Sequence, residues 1–116
     1  MKYVIISIGS NSHQTTHLQW ASQRMASMLS DIRFSRKLWT PDIHGKGSFY
    51  LNQLVAGTTE LSVNVLQQLL KDMEKETERK PGSVTIDMDL MLYDGQRYHE
   101  KDWLRPYIQQ LISDII

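Results

Sequence analysis

An α+β sandwich, in which helices pack against one antiparallel sheet, is the fold class that the sequence predicts. Strand patterns alternate with two helical patterns, and an Asp-Gly turn signal follows the clearest strand. No linker, repeat or low-complexity tract interrupts this order. The order strand, helix, strand, strand, helix, strand is that of a ferredoxin-like βαββαβ sandwich, extended here by a short hairpin arm and a C-terminal helix. We expect the 116 residues to form a single domain, 1–116.

The first half of the chain is expected to form a strand, a helix and a hairpin. Residues 3–8 are nearly all apolar and rich in β-branched side chains, which indicates a strand buried on both faces. Apolar residues then recur at helical spacing over 18–29. A strand is expected over 32–39 and another over 49–58, with a loop at 41–47 between them.

The second half of the chain is expected to form a helix, a strand with a hairpin arm, and a final helix. Ser62 should cap the first of these helices. The strand covers 85–93, and its alternation places four apolar residues on one face: Ile86, Met88, Leu90 and Leu92. Asp94-Gly95 should turn the chain into a short edge strand at 96–99. Pro106 should open an amphipathic helix with five apolar residues on its inner face: Leu104, Ile108, Leu111, Ile112 and Ile115.

Composition excludes several classes of function. Thirteen basic and thirteen acidic residues cancel, so the chain has no overall field that would attract nucleic acid. The chain has no cysteine, which excludes disulfides, thiolate zinc sites and cysteine nucleophiles. The first apolar run is too short for a signal peptide, and no stretch approaches the roughly 20 apolar residues that span a bilayer. We therefore expect a cytoplasmic protein that binds neither nucleic acid nor membrane.

Asp87 and Asp89 form the clearest candidate site in the sequence. They lie two residues apart on a predicted strand, so both should point to one face with Cα atoms roughly 6.5–7 Å apart. Such a pair can bind a hard cation such as Mg²⁺, which prefers carboxylates, water and substrate phosphates. The alternative is that this face of the strand is simply in contact with water.

Several blocks of sequence together resemble one known family over about residues 2–95. The blocks are Ile8-Gly9-Ser10-Asn11, Trp39-Thr40-Pro41, Phe49-Tyr50-Leu51-Asn52, Glu74 with Arg79, and the strand from Thr85 to Tyr93. In order and spacing they are similar to the signature blocks of 6-hydroxymethyl-7,8-dihydropterin pyrophosphokinases. Enzymes of that family act in folate biosynthesis, and they transfer a pyrophosphoryl group from ATP to the hydroxymethyl oxygen of the pterin.

The resemblance implies a role for several charged residues. Asp87 and Asp89 would hold the two Mg²⁺ ions that accompany ATP, and they count as catalytic residues together with Arg79. Arg79 would neutralise phosphate charge, Glu74 would contact the nucleotide, and Lys80 would assist at the same place.

The resemblance also implies a pterin pocket. The ring of Tyr50 would stack on the heterocycle, and the amide of Asn52 would bind its polar edge. Thr40 and Pro41 would lie in the loop beside that pocket. The ligands implied are ATP and 6-hydroxymethyl-7,8-dihydropterin, and we expect a monomer or a weak homodimer.

The chain departs from the family in two segments. The loop after Arg79 is shortened to Lys80-Pro81-Gly82-Ser83, and Val84 stands where the family has a second arginine. Downstream, Arg105-Pro106-Tyr107 is the counterpart of a longer family segment, so Arg105 would contact the nucleotide and Tyr107 the pterin. Two alternatives stay open: an inactive nucleotide- or pterin-binding module, and a ferredoxin-like regulatory or interaction domain. His99 is expected to be an ordinary surface histidine.

Overall fold

The computed structural model describes residues 1–42, 48–77 and 83–116. The strands are β1 (Lys2–Ser10), β2 (Ser30–Phe34), β3 (Leu38–Pro41), β4 (Phe49–Thr59), β5 (Asp87–Tyr93) and β6 (Gln96–Arg97). The helices are α1 (Gln14–Met28), α2 (Val63–Glu76) and α3 (Pro106–Ile112), with a 3₁₀ turn at Asp102–Leu104 before α3. Among the described residues, no helix is both long and apolar enough to cross a membrane.

The strands form one antiparallel sheet in the order β2-β4-β1-β5-β6, and β3 pairs with β4 beyond the end of β2. The central strand β1 therefore separates β4 from β5. Helix α1 connects β1 with β2, and α2 connects β4 with β5. Each of these pairs has a third strand between its members, which is the split βαβ arrangement of a ferredoxin-like sandwich. The predicted α+β fold class, with its hairpin arm and C-terminal helix, is confirmed.

One face of the sheet is covered by α1 and α2. The apolar residues of this layer are fully or nearly fully buried, and they include Ile6, Ile8, Leu18, Met25, Leu66 and Leu70. The predicted cap of α2 is confirmed, because the Val65 amide donates to Ser62 Oγ over 3.3 Å. Burial of this layer holds α1 and α2 on the sheet.

The opposite face of the sheet is covered over only part of its length. Here α3 and the 3₁₀ turn bury a second cluster, which contains Ile5, Leu54, Ala56, Met91, Trp103, Ile108, Leu111 and Ile115. Along the same strands, the next residues on this face are the polar Ser7, Asn52 and Asp89. Sequence alternation thus places an apolar half and a polar half side by side on one surface of the sheet.

The strand predicted over 32–39 is interrupted. Ser35 is buried, and its backbone amide and its Oγ both bind the backbone of Leu54, at 2.9 Å and 2.8 Å. Because Ser35 uses its hydroxyl to satisfy Leu54, the chain turns there and continues as the separate strand β3. This contact joins residues 19 positions apart, so local periodicity could not indicate it.

The alternation predicted for the strand at 85–93 breaks at Met91. Ile6 pairs with Leu90 while Ile5 pairs with Leu92, so Met91 is an extra residue on β5, a β-bulge. Beyond the bulge, Leu92 packs toward the α3 side instead of the face that holds Met88. The assignment of Leu92 to the same face as Met88 is therefore wrong.

Leu104 does not belong to the inner face of the final helix, because 80% of its surface is exposed. Its place is taken by Trp103, which the 3₁₀ turn directs into the core. The helix begins at Pro106 as predicted.

Candidate active site

A cleft of about 220 Å³ opens on the polar half of the α3 side of the sheet. It brings together most of the residues that the sequence singled out: Thr40, Pro41, Tyr50, Asn52, Asp87, Asp89, Arg105 and Tyr107. These residues come from β3, β4, β5 and the start of α3. Four further residues line the cleft, namely Ser7, Gly9, Asp42 and Asp102.

The floor of the cleft is a row of residues that runs across three strands. Gly9 on β1 pairs with Asn52 on β4 and with Asp87 on β5, so it separates the amide from the carboxylate. A Cβ on Gly9 would lie 3.2 Å from Asn52 Oδ1 and 3.7 Å from Tyr50 Cδ1. Because glycine has no side chain, the floor stays open between the two polar groups.

Asn52 is held in place by its own amide nitrogen. Nδ2 donates to Thr40 Oγ1 over 2.8 Å and to the Leu38 carbonyl over 3.1 Å, and the residue is 5% exposed. These bonds fix the amide against β3, so its Oδ1 is the atom that faces Gly9 and the cleft. Among the described residues no hydrogen bond to this oxygen is present, which makes it an acceptor for a donor on a ligand.

Asp87 and Asp89 lie side by side in the cleft as predicted, both on β5 and both half-buried. Burial, and then the neighbouring charge of Asp87, raise the pKa of Asp89 to about 6. His99 Nε2 lies 3.8 Å from Asp89 Oδ1 and acts in the opposite direction. This carboxylate pair therefore lacks full compensation of its charge in the protein alone.

The carboxylate pair fits Mg²⁺ that is shared with a phosphate ligand. Among the described residues, no group of three or more histidine or carboxylate side chains is arranged to hold a metal ion. Mg²⁺ is commonly bound by one or two carboxylates together with water and substrate phosphates. Two carboxylate side chains with uncompensated charge, at the wall of an open cleft, match that ligand set.

Glu74 lies behind the carboxylate pair rather than in the cleft lining. At this level none of the described strands lies beyond β5, because β6 pairs only with Leu92 and Tyr93. The Met88 amide on this open edge donates to Glu74 Oε2 over 2.9 Å. Burial, and to a lesser degree the neighbouring Asp87, raise the pKa of Glu74 to about 7 against the opposing effect of that bond.

Glu74→Gln is expected to change how stability depends on pH. Since the pKa of Glu74 is raised above its unfolded value near 4.5, the native state loses stability as pH rises through about 7. Glutamine keeps an acceptor for Met88 and has no charge, so the variant should be more stable than the wild type at pH 8 by about 1–2 kcal/mol. Urea unfolding in metal-free buffer at pH 4.5 and pH 8 measures this difference.

Glu76→Gln is the control for this prediction. Glu76 lies on the same helix, is exposed, and pairs with Arg24 over 2.7 Å. Its replacement should shift stability similarly at both pH values. If the free energy of unfolding depended on pH in the same way for Glu74→Gln and the wild type, a partly buried carboxyl with a raised pKa at position 74 would be contradicted.

Arg79 and Lys80 lie outside the described residues, so their predicted roles stay predictions. The chain on either side of them is tied together. Thr77 Oγ1 and Thr85 Oγ1 are 2.6 Å apart, and Asn11 exchanges hydrogen bonds with the backbone of Val84 at 2.9 Å and 2.6 Å. Val84 thus anchors the loop end to β1.

Arg105 and Tyr107 reach the cleft from the segment that leads into α3. Arg105 Nε donates to Asp102 Oδ1 over 2.8 Å. Tyr107 is half-buried against the apolar cluster, and this burial raises the pKa of its phenol. Both residues line the cleft together with Asp87 and Asp89, and their predicted contacts with nucleotide and pterin stay predictions.

Sequence reasoning missed four contributors to the site. Ser7 pairs with Asp89. Ser7 and Gly9 lie two residues apart on β1 and so share a face, which could have indicated Ser7 once the pairing of the strands was known. His99, expected to be an ordinary surface residue, points toward Asp89. Asp42 directly follows β3 and Asp102 begins the 3₁₀ turn; aspartate is common in such connections, so no local pattern separates these two from ordinary loop residues.

Comparisons with known proteins agree with this geometry. Residues 5–116 match the family model described as 7,8-dihydro-6-hydroxymethylpterin-pyrophosphokinase. The folate synthesis bifunctional protein of Arabidopsis thaliana is 26% identical over 129 aligned positions. The alignment covers 97% of the chain and 27% of that relative, so the chain spans little more than a quarter of the relative's length.

Proposed function

Because this chain belongs to the 7,8-dihydro-6-hydroxymethylpterin-pyrophosphokinase family, we propose that it transfers a pyrophosphoryl group from ATP to the hydroxymethyl oxygen of 6-hydroxymethyl-7,8-dihydropterin. The observation that carries this proposal is the three-strand row at the cleft floor. Asn52 lies on one side of Gly9 and Asp87 on the other. A heterocycle held on the amide side would have its substituent next to the carboxylate side.

The amide side of the cleft supplies recognition of the heterocycle. Tyr50 and Asn52 both belong to β4 and line the same cleft. Oδ1 of Asn52 accepts from a ring or amino N–H, and the ring of Tyr50 offers an aromatic face to a flat ligand. Tyr107 bounds the cleft from the α3 side.

The carboxylate side supplies the nucleotide site. Asp87 and Asp89 would hold two Mg²⁺ ions, which when bound neutralise charge on the phosphate oxygens of ATP. Arg105 from the α3 side, together with Arg79 and Lys80 from the shortened loop, would contact the polyphosphate. Glu74 would fix the edge of β5 between the two aspartates.

The proposed reaction is one in-line displacement. The hydroxymethyl oxygen of the pterin forms a bond to the β-phosphorus of ATP, and the bond between that phosphorus and the α,β-bridging oxygen breaks. AMP leaves with the bridging oxygen, and the hydroxyl proton passes to solvent. No covalent enzyme intermediate is needed, so the side chains act by position and charge.

The test mixes protein, ATP, Mg²⁺ and 6-hydroxymethyl-7,8-dihydropterin, and it measures AMP. We expect AMP and the pterin diphosphate to form in equal amounts, and only when all four components are present. Replacing Mg²⁺ by EDTA should abolish both products. AMP that forms equally without the pterin would contradict the proposed acceptor.

A binding module on the same scaffold is the second candidate, and one observation favours it. Val84 stands where the family has an arginine; its backbone exchanges hydrogen bonds with Asn11, and it does not belong to the described lining of the cleft. An arginine that stabilises a transferring phosphoryl group can contribute several orders of magnitude in rate. Tight binding of Mg-ATP and pterin without AMP would support the binding module. Absence of magnesium-dependent nucleotide binding would instead support a regulatory or interaction domain.

A further inference from the structure

We propose that Asp102 is a positioning residue that directs the guanidinium of Arg105 at the polyphosphate of the bound nucleotide. The inference rests on the proposed function, and it adds a role for a residue that neither the family resemblance nor the sequence pattern singles out.

The first observation is the presence of Asp102 in a cleft proposed to bind a polyphosphate, since the two carry charge of the same sign. Of the described residues that line the cleft, four are aspartates, and Arg105 is the one with a permanent positive charge. A polyphosphate is repelled by carboxylates that no cation compensates. Asp87 and Asp89 can be compensated by Mg²⁺. Asp102 is compensated within the protein, because its Oδ1 accepts from Arg105 Nε at 2.8 Å.

The contact with Asp102 uses only Nε of Arg105 and leaves the terminal Nη1 and Nη2 donors available for a phosphate. Nε is one of five N–H donors on a guanidinium, and the other four lie on Nη1 and Nη2. With Nε fixed by Asp102, the side chain loses rotational freedom while its terminal donors keep their capacity for a bidentate phosphate contact. Arginine held in this way contributes more in the transition state, since less order must be created on binding.

The turn that carries Asp102 is itself fixed to β5. Trp103 is 6% exposed, and its Nε1 donates to the Met91 carbonyl at 3.2 Å and to the Tyr98 carbonyl at 3.1 Å. Arg97 Cζ stacks on the Trp103 ring at 4.3 Å. Met91 belongs to the same strand as Asp87 and Asp89. The turn therefore holds Asp102 and Arg105 in a set relation to the carboxylates that would bind the metal.

Stability alone does not account for the ion pair. About a third of each side chain is exposed, 36% for Arg105 and 29% for Asp102, and the two residues are three positions apart. Ion pairs of this kind contribute little to folding. Among the described residues, no cluster of three carboxylate or histidine groups could hold a metal, so a role as third ligand is not supported either.

A double-mutant cycle tests the inference. Asp102→Ala, Arg105→Ala and the double variant are compared with the wild type for AMP formation. The affinity for α,β-methylene-ATP in the presence of Mg²⁺ is measured in parallel by calorimetry. This analogue lacks the bond that breaks in the reaction. We expect Asp102→Ala to lower kcat about 10-fold when Arg105 is present, and to lower it no further when Arg105 has been replaced by alanine. Asp102→Asn keeps an acceptor for Nε and should restore most of the rate.

The controls separate positioning from other roles. Asp94→Asn replaces an exposed aspartate that pairs with Lys2 and does not line the cleft, and it should leave kcat unchanged. Equal losses from Asp102→Ala with and without Arg105 would overturn the positioning role, and so would an Asp102→Asn variant as slow as the alanine variant. If the wild type binds nucleotide without turnover, the same double-mutant cycle is applied to the affinity for α,β-methylene-ATP. Equal losses of affinity from Asp102→Ala with and without Arg105 would then overturn the positioning role. A wild type without any nucleotide binding overturns the proposed function and this inference together.

Discussion

Asp89→Asn is expected to abolish most pyrophosphoryl transfer while it makes the metal-free protein more stable. Asparagine has nearly the shape of aspartate and carries no charge, so it binds Mg²⁺ poorly, and the rate should fall by about 10²-fold or more. The pKa of Asp89 is raised to about 6. The ionised form is therefore disfavoured in the native state, and at pH 8 the variant should gain about 1 kcal/mol of stability.

AMP formation and urea unfolding in EDTA, both at pH 8, measure the two halves of this prediction. Asp87→Asn should lose activity to a similar degree. Asp94→Asn again serves as the control, since it removes one aspartate outside the cleft. Loss of activity together with loss of stability in Asp89→Asn would indicate that Asp89 supports the fold rather than a metal.

Asn52→Ala is expected to weaken pterin binding by about 1–3 kcal/mol, or roughly 5- to 150-fold. The substitution removes Oδ1, which faces the cleft. It also leaves the Leu38 carbonyl and Thr40 Oγ1 without the donor that ties β3 to β4. Titration of the pterin followed by its fluorescence measures the first effect, and thermal unfolding measures the second.

Gln53→Ala is a matched control for that loss. Gln53 is the next residue on β4, is equally buried, and uses its amide to bind the Ser35 carbonyl and Ser22 Oγ on the helix-covered side. Its replacement should lower stability by a similar amount and leave pterin affinity unchanged. Equal losses of pterin affinity in both variants would mean that β4 distorts, and that Asn52 makes no direct contact.

The elements of the fold could be predicted where the signal is local. The strand at β5, the Ser62 cap and the Asp94-Gly95 turn depend on neighbouring residues, and the structure confirms them. The break at Ser35 and the bulge at Met91 arise from contacts with distant strands. Local periodicity carries no information about such contacts.

The candidate site could be predicted to the same extent and for the same reason. Asp87, Asp89, Tyr50 and Asn52 belong to regular strands, so alternation alone places each pair on one face. Asp102 enters the cleft because the buried ring of Trp103 sets the orientation of a turn. A turn aspartate has no periodic signature, and its role can be inferred only from what it contacts.

Hydrogen bonds join the described residues on either side of positions 43–47, and likewise on either side of positions 78–82. Asp42 and Ser48 are joined by a backbone bond of 3.0 Å and a side-chain bond of 3.2 Å, and Thr77 bonds to Thr85. With the ends already held, doubling the length of such a segment costs only about 0.6 kcal/mol of loop-closure entropy. Evolution can therefore lengthen or trim either segment without altering the sheet that carries the aspartates. An engineer could graft a longer, arginine-bearing loop between Thr77 and Ser83 and keep the scaffold unchanged.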